Sequence, residues 1–221
     1  MEYMIARGSA GTGPTLDWND PGWGNARSET ITHFHAKSSS HHPQVEFKTC
    51  WNDDGIRVLF RVRDQYVKSV AAKDMDCVCR DSCVEFFVWP GKANGYFNFE
   101  FSCGGVLLSQ FIRDWTRAPG GFVDFDALTP PELAMVKRVS TMPLRTEEEI
   151  TTPLEWRLGF FVPFALICGR PGIPVPVSGE CWKGNFFKCA DDTSHPHWGM
   201  WRPVEPLNFH APQFFDTIRF E

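Results

Sequence analysis

The chain has 221 residues, with 22 Lys and Arg against 27 Asp and Glu, a formal net charge of −5 and a pI near 5.8. That balance offers no basic face to nucleic acid or an anionic membrane. No apolar run reaches the roughly 18 residues of a membrane-spanning helix. A hydrophobic share of 43% is enough for a sizeable core in one domain.

The opening "MEYMIARGSAGTG" lacks the apolar stretch of a signal peptide. As it stands the sequence reads as cytoplasmic, or as periplasmic or secreted if a leader was removed. Short alternating segments then recur between Gly, Pro and Asp. "VEFKTCW" (45–51) and "IRVLFRV" (56–62) are joined by the turn-like "NDDG". In the second, Ile56, Val58, Phe60 and Val62 share one face, with Arg57, Leu59 and Arg61 on the other. "CVEFFVW" (83–89) and "YFNFEF" (96–101) flank a Pro- and Gly-bearing loop. Further strand-like segments are "GVLLSQFI", "LAMVKRVS", "EWRLGFFV", "NFFKC" and "FFDTIRF". "TMPLRTEEEITT" (141–152) reads as a solvated loop or hairpin, and the stretch around "PFALI" after Pro163 as the one short helix. No repeat or linker divides the chain. The pattern predicts an all-β fold, a single antiparallel β-sandwich of jelly-roll type with long loops, over 1–221 with its core from about residue 16.

Alternation places Val84, Phe86 and Val88 against Phe97, Phe99 and Phe101 as core. The opposite face then carries Glu85 and Phe87 beside Tyr96, Asn98 and Glu100, either a solvated sheet face or the floor of a polar groove. The 20 Phe suit a β core, but 9 Trp exceed what packing needs, because a buried indole N–H must find an acceptor. In "KCADDTSHPHWGMWRP" (188–203), Trp198 and Trp201 are expected to be exposed in a loop. With His195 and His197 above Glu85 and Asn98, they supply what a sugar needs, flat rings for its C–H faces and paired polar groups for its hydroxyls.

Other chemistries are weaker. "HFH" (33–35), "SHH" (40–42) and "HPH" (195–197) offer metal-ligating histidines without a zinc spacing. Loop carboxylates such as Asp74, Asp76 or Asp191 could hold a structural calcium ion. Glu85 and Glu100 are a carboxylate pair of the kind a glycoside hydrolase uses. The eight cysteines contain no CxxC and read mainly as free buried thiols, with a disulfide or a zinc site as alternatives.

The run "FRVRDQYV … CRDSCVEFFVWP … GYFNFEF" resembles the family 9 carbohydrate-binding module-like domains, β-sandwiches built around a D-S-x-V-E-x-F strand and a following Y-F-x-F-E strand. "WNDPGWGNA" is similar to the family's opening, and "WKGNFFKCADDTSHPHWGMWRP" with "NFHAPQFFDTIRF" to its end. The resemblance implies non-catalytic binding of a saccharide, such as a polysaccharide end, in a protein tied to polysaccharide-degrading enzymes. It implies Trp198 as the loop aromatic, His195 as its polar neighbour, Glu85 as the hydroxyl-binding acid and Arg113 as the base. Cys79 stands where the family has a second aromatic, and Trp115 and Trp201 are the candidates to replace it. Related haem-binding sandwiches draw attention to Met200 beside His197. Two alternatives stay open, a glycosidase-like or metal-assisted hydrolase and a protein-interaction domain without a small ligand.

Overall fold

The period-two alternation becomes an almost wholly β structure. The computed structural model describes residues 2–9, 11 and 13–221. The first strands are β1 (Glu2–Arg7), β2 (Ser28–Ile31), β3 (His33–Phe34), β4 (Gln44–Trp51), β5 (Gly55–Asp64) and β6 (Val67–Ser69). The middle of the chain forms β7 (Cys83–Trp89), β8 (Tyr96–Ser102), β9 (Leu107–Ala118) and β10 (Gly121–Ala127). There follow helix α1 (Pro130–Met135), β11 (Lys137–Ser140), β12 (Thr146–Ile150), β13 (Leu154–Pro163) and helix α2 (Phe164–Ile167). The last strands are β14 (Cys181–Cys189), β15 (Trp198–Met200) and β16 (Asp216–Phe220).

Hydrogen-bonded neighbours run β10-β9-β8-β7-β14-β16-β1-β4-β5-β13-β11. Pairing along this path is antiparallel except at β1, which is parallel to both neighbours. Glu2 to Ile5 pair with Thr217 to Phe220, and then Ala6 and Arg7 pair with Cys50 and Trp51. β1 therefore changes partner midway and links two halves of the structure. Their inner faces meet. Phe47 of β4 stacks on Phe186 of β14 at 3.9 Å, and Phe160 of β13 on Phe101 of β8 at 4.4 Å. Ile56, Val58, Phe60 and Val62 share this core with Val84, Phe86, Val88, Phe97, Phe99 and Phe101, as alternation predicts. Each such buried side chain is worth roughly 1.5–3 kcal/mol.

The other face of β5 is covered by the opening segment. Leu59 packs with Trp18 and Trp23, and the Arg61 guanidinium lies 4.1 Å from the Trp18 ring. Three expectations are corrected. "LAMVKRVS" is half helix, because Thr129 and Glu132 form a capping box that starts α1. "TEEEI" is a strand paired with β6. Trp201 is only 2% exposed, since β15 extends the sheet beside β14 and the chain then turns the indole into the main core. Among the described residues no helix is long and apolar enough to cross a membrane.

Candidate functional site

The site grows from the strand pair β7–β8. Val84↔Phe101, Phe86↔Phe99 and Val88↔Phe97 face the core, so the alternate pair Glu85↔Glu100 and Asn98 point the other way. The motif before β7 fixes the strand in place. The Asp81 carboxylate accepts from the Val70 and Ala71 N–H groups and from Ser69 Oγ, and Ser82 Oγ accepts from Lys68 N. This ties β6 to the start of β7 and sets the Cys77–Cys79 turn beside the outward face.

The outward face is not a solvated sheet. Loops before β7, after β14 and before β16 rise around it and enclose a cavity of about 410 Å³. Glu85 and Glu100 form its floor, with Cys79, Cys189, Trp198 and Phe209 among the walls. Glu85 is 2% exposed. Burial first, and then the facing Glu100, push its carboxyl well above the usual glutamate range. Its Oε1 accepts from Cys189 Sγ at 3.2 Å and from Cys83 Sγ at 3.8 Å, while Oε2 has no partner. Glu100 Oε1 accepts from Asn98 Nδ2 at 2.8 Å and lies 3.6 Å from His210 Nε2. Asn98 does not line the cavity; it is fully buried and its Oδ1 accepts from Gln110 N, so it orients Glu100 from behind.

Trp198 is half-buried, not free in a loop. Its Nε1 donates to Asp191 Oδ1 at 2.7 Å, which leaves the ring as a fixed cavity wall. Burial raises the Asp191 pKa, and this indole hydrogen bond opposes the rise. Phe209 supplies another aromatic wall and is itself held by stacking on Phe187 at 4.1 Å.

The other expected site residues lie elsewhere. His195 stacks on Tyr66 at 3.6 Å, outside the cavity. Its neighbour His197 points inward, where Lys188 Nζ donates to His197 Nε2 at 2.8 Å and lies 3.6 Å from Asp64 Oδ2. His41 completes this buried network at 2.8 Å from Asp64 Oδ1. His41 of "SHH" and His197 of "HPH" thus come together around an ion pair. Met200 Sδ accepts from Val204 N and packs in a separate apolar cluster. Trp201 Nε1 donates to Glu29, within the core. Trp115 packs against Trp89, beside a different pocket.

Arg113 is paired with Asp124 and Asp126, away from the cavity. The basic residue at the cavity is Arg117, four residues later on the same strand. The β9–β10 pairing slips twice between Phe122 and Phe125. Arg117, opposite Phe122, therefore shares the face of Ile112, opposite Phe125, although their positions differ by five, an odd offset. A strict alternation cannot see such bulges. The loop carboxylates already have partners. Asp74 accepts from Leu107 N and pairs with Arg138, and Asp76 accepts from Ala72 N and Lys73 N. All eight cysteines are free thiols.

Residues 24–220 match the model of carbohydrate-binding family 9. No curated protein matches the chain. A candidate carbohydrate-binding protein from Bacteroides uniformis ATCC 8492 is similar over 100% of this chain and 99% of its own, with 27% identity and a TM-score of 0.84. A family 9 carbohydrate-binding module from Caldicellulosiruptor kristjanssonii, solved with glucose, has 12% identity and a TM-score of 0.65 over 100% and 96% of the two chains. The same organism's module with cellotriose has 13% identity and a TM-score of 0.64 over 100% and 94%. At those identities the two sugar complexes bear on the fold, while the match over residues 24–220 bears on descent. The chain belongs to carbohydrate-binding family 9.

Proposed function

We propose that this protein binds a saccharide without cleaving it, taking the end of a chain into the cavity over β7–β8. The observation that carries the reading is the combination in one cavity of a fixed indole wall, Trp198, and a carboxylate floor, Glu85 and Glu100. A volume of about 410 Å³ lies within the range of small-molecule sites. Trp198 stacks on a C–H face of the ring, and Glu85, Glu100, Asp191, Asn208 and Arg117 address its hydroxyls. Glu85 and Glu100 sit directly opposite each other on adjacent strands, and on this reading both address one edge of the ring. Membership of family 9 and relatives solved with glucose and cellotriose support the same reading. On it, the two facing halves form a jelly-roll sandwich whose outer face carries the ligand. The protein serves polysaccharide use beside degrading enzymes, and xylan is a fitting source of chain ends.

The test is a glycan array followed by calorimetric titration with glucose, cellotriose and their borohydride-reduced forms. Saturable binding that depends on an intact ring at the chain end supports the proposal. Absence of binding to every glycan overturns it.

A further inference from the structure

Cys83 and Cys189 are directly opposed across the β7–β14 pairing, and Glu85 is two residues from Cys83 on the same strand. Their ligand atoms lie within 4.8 Å of one another, and all three side chains are buried. Buried free thiols are common as small apolar fillers. These two differ, because both point at one carboxylate oxygen. The Glu85 Oε1 contacts are 3.2 Å to Cys189 Sγ and 3.8 Å to Cys83 Sγ. A tetrahedral zinc ion, with Zn–S near 2.3 Å and Zn–O near 2.0–2.2 Å, has S···O edges of about 3.5 Å. The two contacts bracket that edge. The second oxygen of Glu85 is buried without any partner, an unmet demand for a proton donor or a cation.

We propose that Cys83, Cys189 and Glu85 bind one divalent thiophilic cation of the zinc type, with its fourth position open toward the cavity lined by Cys79 and Asp191. Two sulphurs and a carboxylate suit zinc and disfavour calcium or magnesium, which take oxygen ligands. Binding releases the two thiol protons and the proton held by Glu85 to solvent, and the cation replaces the S–H donors now directed at Glu85. Three ligands from two adjacent strands need no rearrangement of the sheet. Cys79 and Cys189 line the cavity wall, which gives the ion a path in. The inference does not rest on saccharide binding, although metal and sugar would draw on the same carboxylate.

The experiment loads the purified full chain with zinc alone, without saccharide, and reads stoichiometry and X-ray absorption. The expected result is one equivalent of zinc with sulphur in its first shell at about 2.3 Å, and loss of that shell in both Cys83→Ser and Cys189→Ser. No stoichiometric zinc, a shell of nitrogen and oxygen only, or a sulphur shell unchanged in either variant overturns the proposal. Should either variant fail to fold, Cys77→Ser/Cys79→Ser, altered only at the cavity mouth, decides. A retained sulphur shell there supports the assignment, and its loss places the metal on the mouth thiols instead.

Discussion

Glu85 and Glu100 stand directly opposite each other on adjacent strands at the cavity floor. Burial first, and then the facing Glu100, raise the Glu85 pKa well above the usual glutamate range.

Glu85→Gln is expected to stabilise the protein at neutral pH. A carboxyl with a raised folded pKa favours folding fully below the usual glutamate range. That contribution is lost as pH rises from there through the folded value. The variant should melt higher than wild type at pH 7–8, by about 2–4 °C for each kcal/mol relieved. The gap should close toward pH 4. Melting curves across pH measure it, and a variant that melts lower than wild type at pH 8 would disprove the strain at the floor. Saccharide affinity should fall in the same variant, a stability cost kept for function.

Trp198→Ala should weaken saccharide binding by about ten- to thirtyfold, corresponding to about 1–2 kcal/mol for one stacked ring. The half-buried indole also holds Asp191, so a stability loss of about 1 kcal/mol accompanies it. Trp198→Phe keeps a stacking face and should recover most of the affinity. Titration of both variants separates the two roles. Equal affinity for wild type and Trp198→Ala would remove the ring from the site.

Two arginines of one strand should behave differently. Arg117→Ala is expected to lower saccharide affinity with little change in melting temperature, since the side chain is exposed at the cavity rim. Arg113→Ala should leave affinity unchanged. It should cost only about 1 kcal/mol through its exposed pairs with Asp124 and Asp126. The reverse pattern in titrations would restore the alternation-based assignment of Arg113.

Acid should loosen the fold through His197. Burial and the adjacent Lys188 lower its pKa from 6.5 to about 3. The ring is neutral in the fold, its Nδ1–H donating to the His195 carbonyl and its Nε2 accepting from Lys188. A depressed folded pKa gives stability that is complete above pH 6.5 and is lost as pH falls from there toward 3. Burial lowers the His210 pKa as well, in the same sense. In a Glu85→Gln background, which removes the opposing trend of that carboxyl, the melting temperature should therefore drop between pH 7 and pH 5. His197→Gln, which cannot charge, should start lower by about 1–3 kcal/mol and show a shallower drop. Identical slopes in the two proteins would assign the acid sensitivity elsewhere.

Much of this architecture is legible from alternation alone. Val84, Phe86 and Val88 against Phe97, Phe99 and Phe101 is the pairing found, and Glu85 faces away from that core. Legibility ends where a loop covers a sheet face. Nothing in the period of "CVEFFVW" says that Phe209 will arrive from the chain's far end to roof the cavity. Histidine proximity in sequence is equally silent about side. His195 and Trp198 are three residues apart, yet one lies against Tyr66 and the other on the cavity. Trp201 looks like Trp198 by composition but turns inward, because β15 pairs with β14 and brings it under Tyr3 and Phe47.

The divided allegiance of β1 sets the order of assembly. Residues 2–5 pair with 217–220, while residues 6 and 7 pair with 50 and 51. On a ribosome, β4 and β5 can pair early, but residues 2–5 must wait until β16 has been made. The two layers are latched through β1 and β16. Losing a few residues of β16 would remove the pairing partners of residues 2–5, Tyr3 among them, and Ile218 and Phe220 from the main core, so truncation there should act on the whole domain rather than on its edge.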